Sequence, residues 1–190
     1  MLNNKLNITG GSLKSRNLSF NPEESLKPTK SYIRESIFNI IKIENTMSCL
    51  DLFSGSGILS AEFLSRGAEK AVLVENNPKT CQKINSEFKN LKIKNYDLLC
   101  LNVFAFIKNH KNKKYDIIFI DAPFDTNDLY KSLKLLDENG FLIKNEYIYI
   151  EQNKKDYNLE VISIISKTHN VLKDLSIGDV SYTIAKKRDK

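Results

Sequence analysis

"SCLDLFSGSGILSAEFLSRGA", residues 48–68, runs from a short apolar segment through two closely spaced glycines into a longer apolar segment that ends at a third glycine. "SCLDLF" reads as a buried strand, and "GILSAEFLSRGA" reads as a helix stopped by Gly67. A strand that turns through Gly55 and Gly57 straight into a helix is the local mark of an α/β sheet with a ligand at the turn. Glycines let that ligand lie against backbone amides where a side chain would collide.

Downstream the alternation continues. "KAVLVE" reads as a second strand, "PKTCQKINSEFKNLKI" as a helix opened by Pro78, "DLLCLN" as a third strand and "VFAFIKNH" as a short helix. "YDIIFID" is a fourth strand, followed by a helix near 126–138 that stops at "ENG", and "EYIYIE" is a fifth. Two further β-rich runs, "LEVISIISKT" and "VSYTIAKK", leave no room for a crossover helix between them and are expected to pair as an antiparallel hairpin at the sheet edge. Strands separated by helices imply parallel pairing, so the expected fold is α/β: a doubly wound, mostly parallel, seven-stranded open sheet.

Ahead of it, "ITGGSLKSRNLSF" suggests a small β element, and "LKPTKSYIRESIFNII" a helix with Ile33, Ile37, Phe38 and Ile41 on one face and Thr29 as its N-cap. Residues 1–45 are thus expected to be an extension too small to stand alone, packed on a main domain spanning 46–190.

Composition narrows the class. At 190 residues, 41% hydrophobic and 27% charged, the chain suits one globular body with a real core. No window approaches the apolar length of a membrane span, and the opening residues do not read as a secretory signal, so a soluble cytoplasmic protein is expected. The widely spaced Cys49, Cys81 and Cys100 read as buried free thiols in a reducing compartment. His110 and His169 have neither metal nor triad spacing, and no metal site is expected. Of the net charge of +6, residues 1–34 carry +4 and the tail "KKRDK" +3, leaving 35–185 at −1. A near-neutral body with cationic ends suits a polyanionic partner, although lysine-rich termini also serve solubility.

In an open parallel sheet, ligands bind beyond the carboxyl ends of the strands. Those ends carry Asp51 with Gly55 and Gly57, then Glu75, then Asn102, then "DAPF" at 121–124. Glu75 stands eighteen residues beyond Gly57, a spacing suited to a carboxylate gripping ribose hydroxyls. Where a dinucleotide fingerprint would have its third glycine this chain has Ser60, which weakens a nicotinamide-dependent oxidoreductase reading.

Together "DLFSGSG", Glu75, Asn102 and "DAPF" resemble a class I S-adenosylmethionine-dependent methyltransferase. The last motif is similar to the [D/N/S]-P-P-[Y/F/W] signature of enzymes that methylate exocyclic or amide nitrogens. "ITGGSLKSRNL" and "LKPTKSYIRESIFNII" resemble two opening blocks of the 16S ribosomal RNA guanine-N2 methyltransferases of the RsmD type, and the likeness covers about residues 8–151.

The resemblance implies S-adenosylmethionine as cofactor, met by Asp51, Phe53, Gly55, Gly57, Glu75, Asn76, Asn102, Val103 and Asp121. It implies 16S rRNA or the assembling small subunit as partner, with the enzyme acting as a monomer. Asp121 and the Ala122 carbonyl would accept hydrogen bonds from the target amine, Pro123 would stiffen the turn, and Phe124 would stack on a flipped base. The family pattern has proline where this chain has Ala122, a loss of backbone restriction rather than of the carbonyl. Lys14, Arg16, Lys27, Lys30 and Arg34 are candidates for the RNA backbone; Arg34 equally suits the cofactor carboxylate or a neighbouring acid. The alternatives are an amine methyltransferase acting on DNA adenine N6 or protein glutamine, and a non-catalytic RNA-binding relative.

Overall fold

The computed structural model describes residues 5–21, 28–111 and 113–189. The chain divides into two compact units, 1–101 and 102–190.

The first unit begins with a two-stranded antiparallel hairpin, β1 (Lys5–Asn7) and β2 (Asn17–Ser19), followed by helix α1 (Ser31–Ile40). Ile33, Ile37, Phe38 and Ile41 are buried on one face of α1 as their spacing requires. Thr29 is not its N-cap. That position falls to Lys30, which caps without a side-chain bond, while Thr29 is itself buried. Then come β3 (Ser48–Leu52), α2 (Ile58–Ser65), β4 (Lys70–Glu75), α3 (Pro78–Asn90) and β5 (Tyr96–Cys100). The three strands are parallel in the order β5-β4-β3. Pro78 opens α3 behind Asn77, whose side chain accepts from the amides of Lys79 and Thr80.

"ITGGSLKSR" is explained by its docking on α2. Gly11 has φ +78°, and a Cβ there would stand 1.9 Å from the Ser65 carbonyl oxygen, so only glycine allows the approach. Around it the Ser65 hydroxyl donates to the Gly10 carbonyl at 2.6 Å and accepts from the Leu13 amide at 2.9 Å.

The second unit holds α4 (Val103–Asn109), β6 (Ile117–Ile120), α5 (Asp128–Glu138), β7 (Tyr147–Asn153), α6 (Leu159–Ser166), β8 (His169–Ile177) and β9 (Val180–Lys187). Its strand order is β6-β7-β9-β8, with β6 parallel to β7 and the remaining pairings antiparallel. Seven sheet strands, mostly parallel and alternating with helices until an antiparallel end, make the α/β architecture expected from the sequence.

The terminal hairpin forms, but its first strand is not the run expected. Residues 159–166 are helical: Asn158 caps the Glu160 amide at 2.8 Å, and Val161, Ile164 and Ile165 bury one face. Helical spacing outweighs the β preference of isoleucine and valine here. The strand is His169–Ile177, an edge strand in which exposed Asn170, Asp174 and Ser176 are mixed with exposed Val171, Leu172 and Leu175, so no apolar run or regular alternation marks it in the sequence. Among the cysteines, Cys49 and Cys81 are buried but Cys100 is exposed.

Candidate active site

In the first unit the strand ends build a polar loop on an apolar floor. Asp51 is buried near the end of β3 and accepts a 2.6 Å hydrogen bond from the Ser60 hydroxyl on α2. Burial pushes its carboxyl up to about 7; the Ser60 bond opposes that rise and the charge of Glu75 adds to it. The chain then reverses through Phe53, Gly55 and Gly57, all at positive φ. Gly57 caps α2 at φ +73°, and a Cβ there would press on the Phe88 ring at 3.2 Å and on Ile84 at 3.3 Å. The Ser54 hydroxyl braces the loop by donating to the Asp51 carbonyl at 2.7 Å.

Glu75 closes β4 with its carboxylate held by backbone. It accepts from the Gly55 amide at 2.9 Å and from the Asn76 and Asn77 amides at 2.8 Å each. Three amides fix a half-buried carboxylate beside a glycine turn, an arrangement that fits a hydroxylated ligand approached through backbone. A small cleft next to Gly55 and Ser56 is lined by Ser19, Phe20, Thr80 and Lys83, so the N-terminal extension reaches the glycine loop.

In the second unit Asn102 is the N-cap of α4, its side-chain oxygen accepting from the Phe104 and Ala105 amides at 2.9 and 3.2 Å. Capping thus uses the oxygen and leaves the side-chain NH2 to point elsewhere, and Val103 is buried at the first helical position. Asp121 follows β6 directly and is half-buried, Ala122 is buried, Pro123 is exposed and Phe124 is half-buried. The turn is closed behind them by Thr126, whose hydroxyl and amide both donate to the Pro123 carbonyl, at 2.9 and 3.3 Å. The four residues therefore sit in one braced turn at a strand end.

Of the candidate RNA-facing cations, Lys14, Arg16 and Lys30 are exposed in the first unit, and Lys27 lies outside the described residues. Arg34 does not belong with them. It is 2% exposed, and its guanidinium donates to Glu62 at 2.6 Å, to the Asn7 carbonyl at 2.8 Å and to the Thr29 carbonyl at 3.1 Å. Glu62, wholly buried on α2, also accepts from Arg66 and from the Thr9 amide and hydroxyl at 2.8 and 3.0 Å. The network ties hairpin, α1 and α2 together, and its signal was an acid inside the otherwise apolar run "ILSAEFL". At the other end Lys187 donates to the Ile143 carbonyl and Arg188 to the Ser166 carbonyl at 2.6 Å, so part of the tail's charge is committed to its own unit. No cluster of potential metal ligands occurs among the described residues.

Comparison with known proteins agrees with this reading of the fold and gives the class: an S-adenosylmethionine-dependent methyltransferase. Residues 6–186 match the protein family described as "Conserved hypothetical protein 95". The chain is 40% identical over 154 residues to "Ribosomal RNA small subunit methyltransferase D" of Buchnera aphidicola subsp. Acyrthosiphon pisum, covering 80% of this chain and 81% of that protein. It is 33% identical to the protein of the same name from Escherichia coli K12, covering 77% and 74% of the two chains. The solved structure of yhhF from Escherichia coli superposes with a TM-score of 0.81 at 27% identity, covering 98% of this chain and 99% of that one. The chain belongs to the ribosomal RNA small subunit methyltransferase D family.

Proposed function

We propose that the chain transfers a methyl group from S-adenosylmethionine to the exocyclic N2 amine of a guanine in small-subunit, 16S, ribosomal RNA, acting as a cytoplasmic monomer. The observation that carries this reading is the braced turn Asp121-Ala122-Pro123-Phe124 at the end of β6, in a chain whose relatives are named for small-subunit rRNA methylation.

S-adenosylmethionine supplies a methyl group on a positively charged sulfur. The first unit's strand ends are suited to holding it: the Gly55 and Gly57 turn against the methionine portion, with Asp51 and Phe53 beside it, and the fixed Glu75 carboxylate with Asn76 toward the ribose. Asn102 and the Val103 amide suit the adenine edge. A guanine N2 amine is a weak nucleophile because its lone pair is delocalised into the ring. Asp121 and the Ala122 carbonyl accept its two N–H bonds, which favours a pyramidal nitrogen and frees the lone pair. S-adenosylmethionine, when bound, would supply the methyl carbon with the C–S electron pair returning to sulfur, and Asp121 or water would take the N–H proton that the methylated nitrogen sheds. Phe124 stacks on the extruded base. Residues 1–45 act as an extension on the 46–190 methyltransferase domain, and Lys14, Arg16, Lys27 and Lys30 meet RNA phosphates.

The test is transfer of labelled methyl groups to small ribosomal subunits from cells lacking the protein, followed by nucleoside mass spectrometry. N2-methylguanosine is expected. Label on adenine, on protein or nowhere would overturn the proposal.

A further inference from the structure

The fifth parallel strand also ends in an acid. Glu151 is 3% exposed near the end of β7 and accepts a 2.5 Å hydrogen bond from the Tyr149 hydroxyl. The β6–β7 register pairs Phe119 with Tyr149 and Ile120 with Ile150, so Asp121 and Glu151 follow at the next step on adjacent strands. Adjacent strands lie about 4.8 Å apart, and side chains two residues on return to the same face. The Phe119 and Tyr149 rings on that face meet edge to face, 6.1 Å between centroids. Two carboxylates are therefore neighbours, one at the amine-holding turn and one buried behind it.

We propose that Glu151 is a positioning residue for methyl transfer, fixed by Tyr149 and acting through Asp121. The proposal rests on the reading of Asp121 as the acid that holds the target amine. A second carboxylate beside Asp121 raises its affinity for a proton, which makes it a better acceptor when the methylated nitrogen sheds one. The groups that face Glu151 from the packed strands are Tyr149 on its own strand, Asp121 after β6 and Tyr182, paired with Glu151 on β9. Lys173 of β8 stands over the Tyr182 ring at 5.8 Å. Burial, and after it the charges of Glu151 and Asp121, push the Tyr149 hydroxyl well above its ordinary range, so it remains a donor throughout the working pH.

The experiment follows turnover on unmodified small subunits from about pH 5 to pH 9 for wild type and for Glu151→Gln, Tyr149→Phe and Asp121→Asn, with cofactor affinity and thermal midpoint measured alongside. Glu151→Gln is expected to bind cofactor within about twofold of wild type, to lose roughly tenfold or more in kcat, and to move the acid limb of the profile to lower pH. Tyr149→Phe moves the same limb in the same direction by less, and it carries the test if Glu151→Gln does not fold, because its ring still packs. A wild-type profile in folded Glu151→Gln overturns the proposal. So does a rate loss with the acid limb unmoved, which marks a purely structural role. Asp121→Asn separates the two readings: wild-type turnover there removes the assignment of Asp121, whereas an inactive Asp121→Asn beside an unaffected Glu151→Gln removes only that of Glu151.

Discussion

Asp51 is a carboxylate whose burial works against the fold once it is ionised. With its carboxyl raised from 3.8 to about 7 by burial, the folded protein holds a proton there that the unfolded chain releases. The resulting stability is complete below about pH 4 and is lost as pH rises through about 7, on the order of 4 kcal/mol at most. His169 acts in the opposite sense. Burial lowers it from 6.5 to about 4, so its contribution is present above about 6.5 and lost as pH falls through about 4. The Asp51 effect is therefore read as a difference: thermal unfolding of wild type and Asp51→Asn should converge near pH 4.5 and separate by pH 8 with the variant the more stable, by about 2–3 kcal/mol. Parallel curves across that range would show that the carboxyl is ionised throughout. Arg34 makes a second claim at this scale. Because its guanidinium is spent on buried Glu62, Arg34→Ala leaves that carboxylate with Arg66 as its one remaining cation among the described residues and takes the donor from the Asn7 and Thr29 carbonyls, at a cost of about 2–3 kcal/mol and a fall of roughly 4–12 °C in thermal midpoint. A midpoint within about 2 °C of wild type would return Arg34 to the surface cations.

Among the elements, the turn from β3 into α2 carries the tightest constraint. Gly57→Ala adds a Cβ against Phe88 and Ile84 at a left-handed backbone position, and it is expected to cost about 1–3 kcal/mol and to weaken cofactor binding, both measurable by thermal shift with and without cofactor. This turn was legible in the sequence because two glycines at a strand end have few other physical reasons to occur, and the acid of Glu75 stood at the matching distance. The terminal hairpin was legible only in outline. Isoleucine and valine in 159–166 carry a β preference that a capping Asn158 and helical burial override, and the true strand, lying at an edge, mixes exposed polar and apolar residues without a clear period. Arg34 could not be resolved from its motif, since its partner Glu62 is buried only once the hairpin and α1 have docked on α2. Glu151 was within reach of the same logic that singled out Asp121, an acid closing an apolar strand, had that logic been carried to the fifth strand.

For the whole molecule, the +4 of residues 1–34 loses Arg34 to the interior, while Lys14, Arg16 and Lys30 stay exposed. Replacing each of these three by Gln should weaken RNA binding and lower the slope of log affinity against log salt by about 0.7–0.9 per residue, with cofactor affinity unchanged; an unaltered slope would assign them to solubility alone. The central claim is a division of labour, in which the first unit's strand ends hold the cofactor and Asp121 holds the amine. Its most direct test is Asp121→Ala, assayed side by side for methyl transfer to small subunits and for S-adenosylmethionine affinity. Turnover is expected to fall by about 10²-fold or more while cofactor affinity stays within about threefold of wild type. Retention of turnover, or an equal loss of turnover and affinity, would contradict the account.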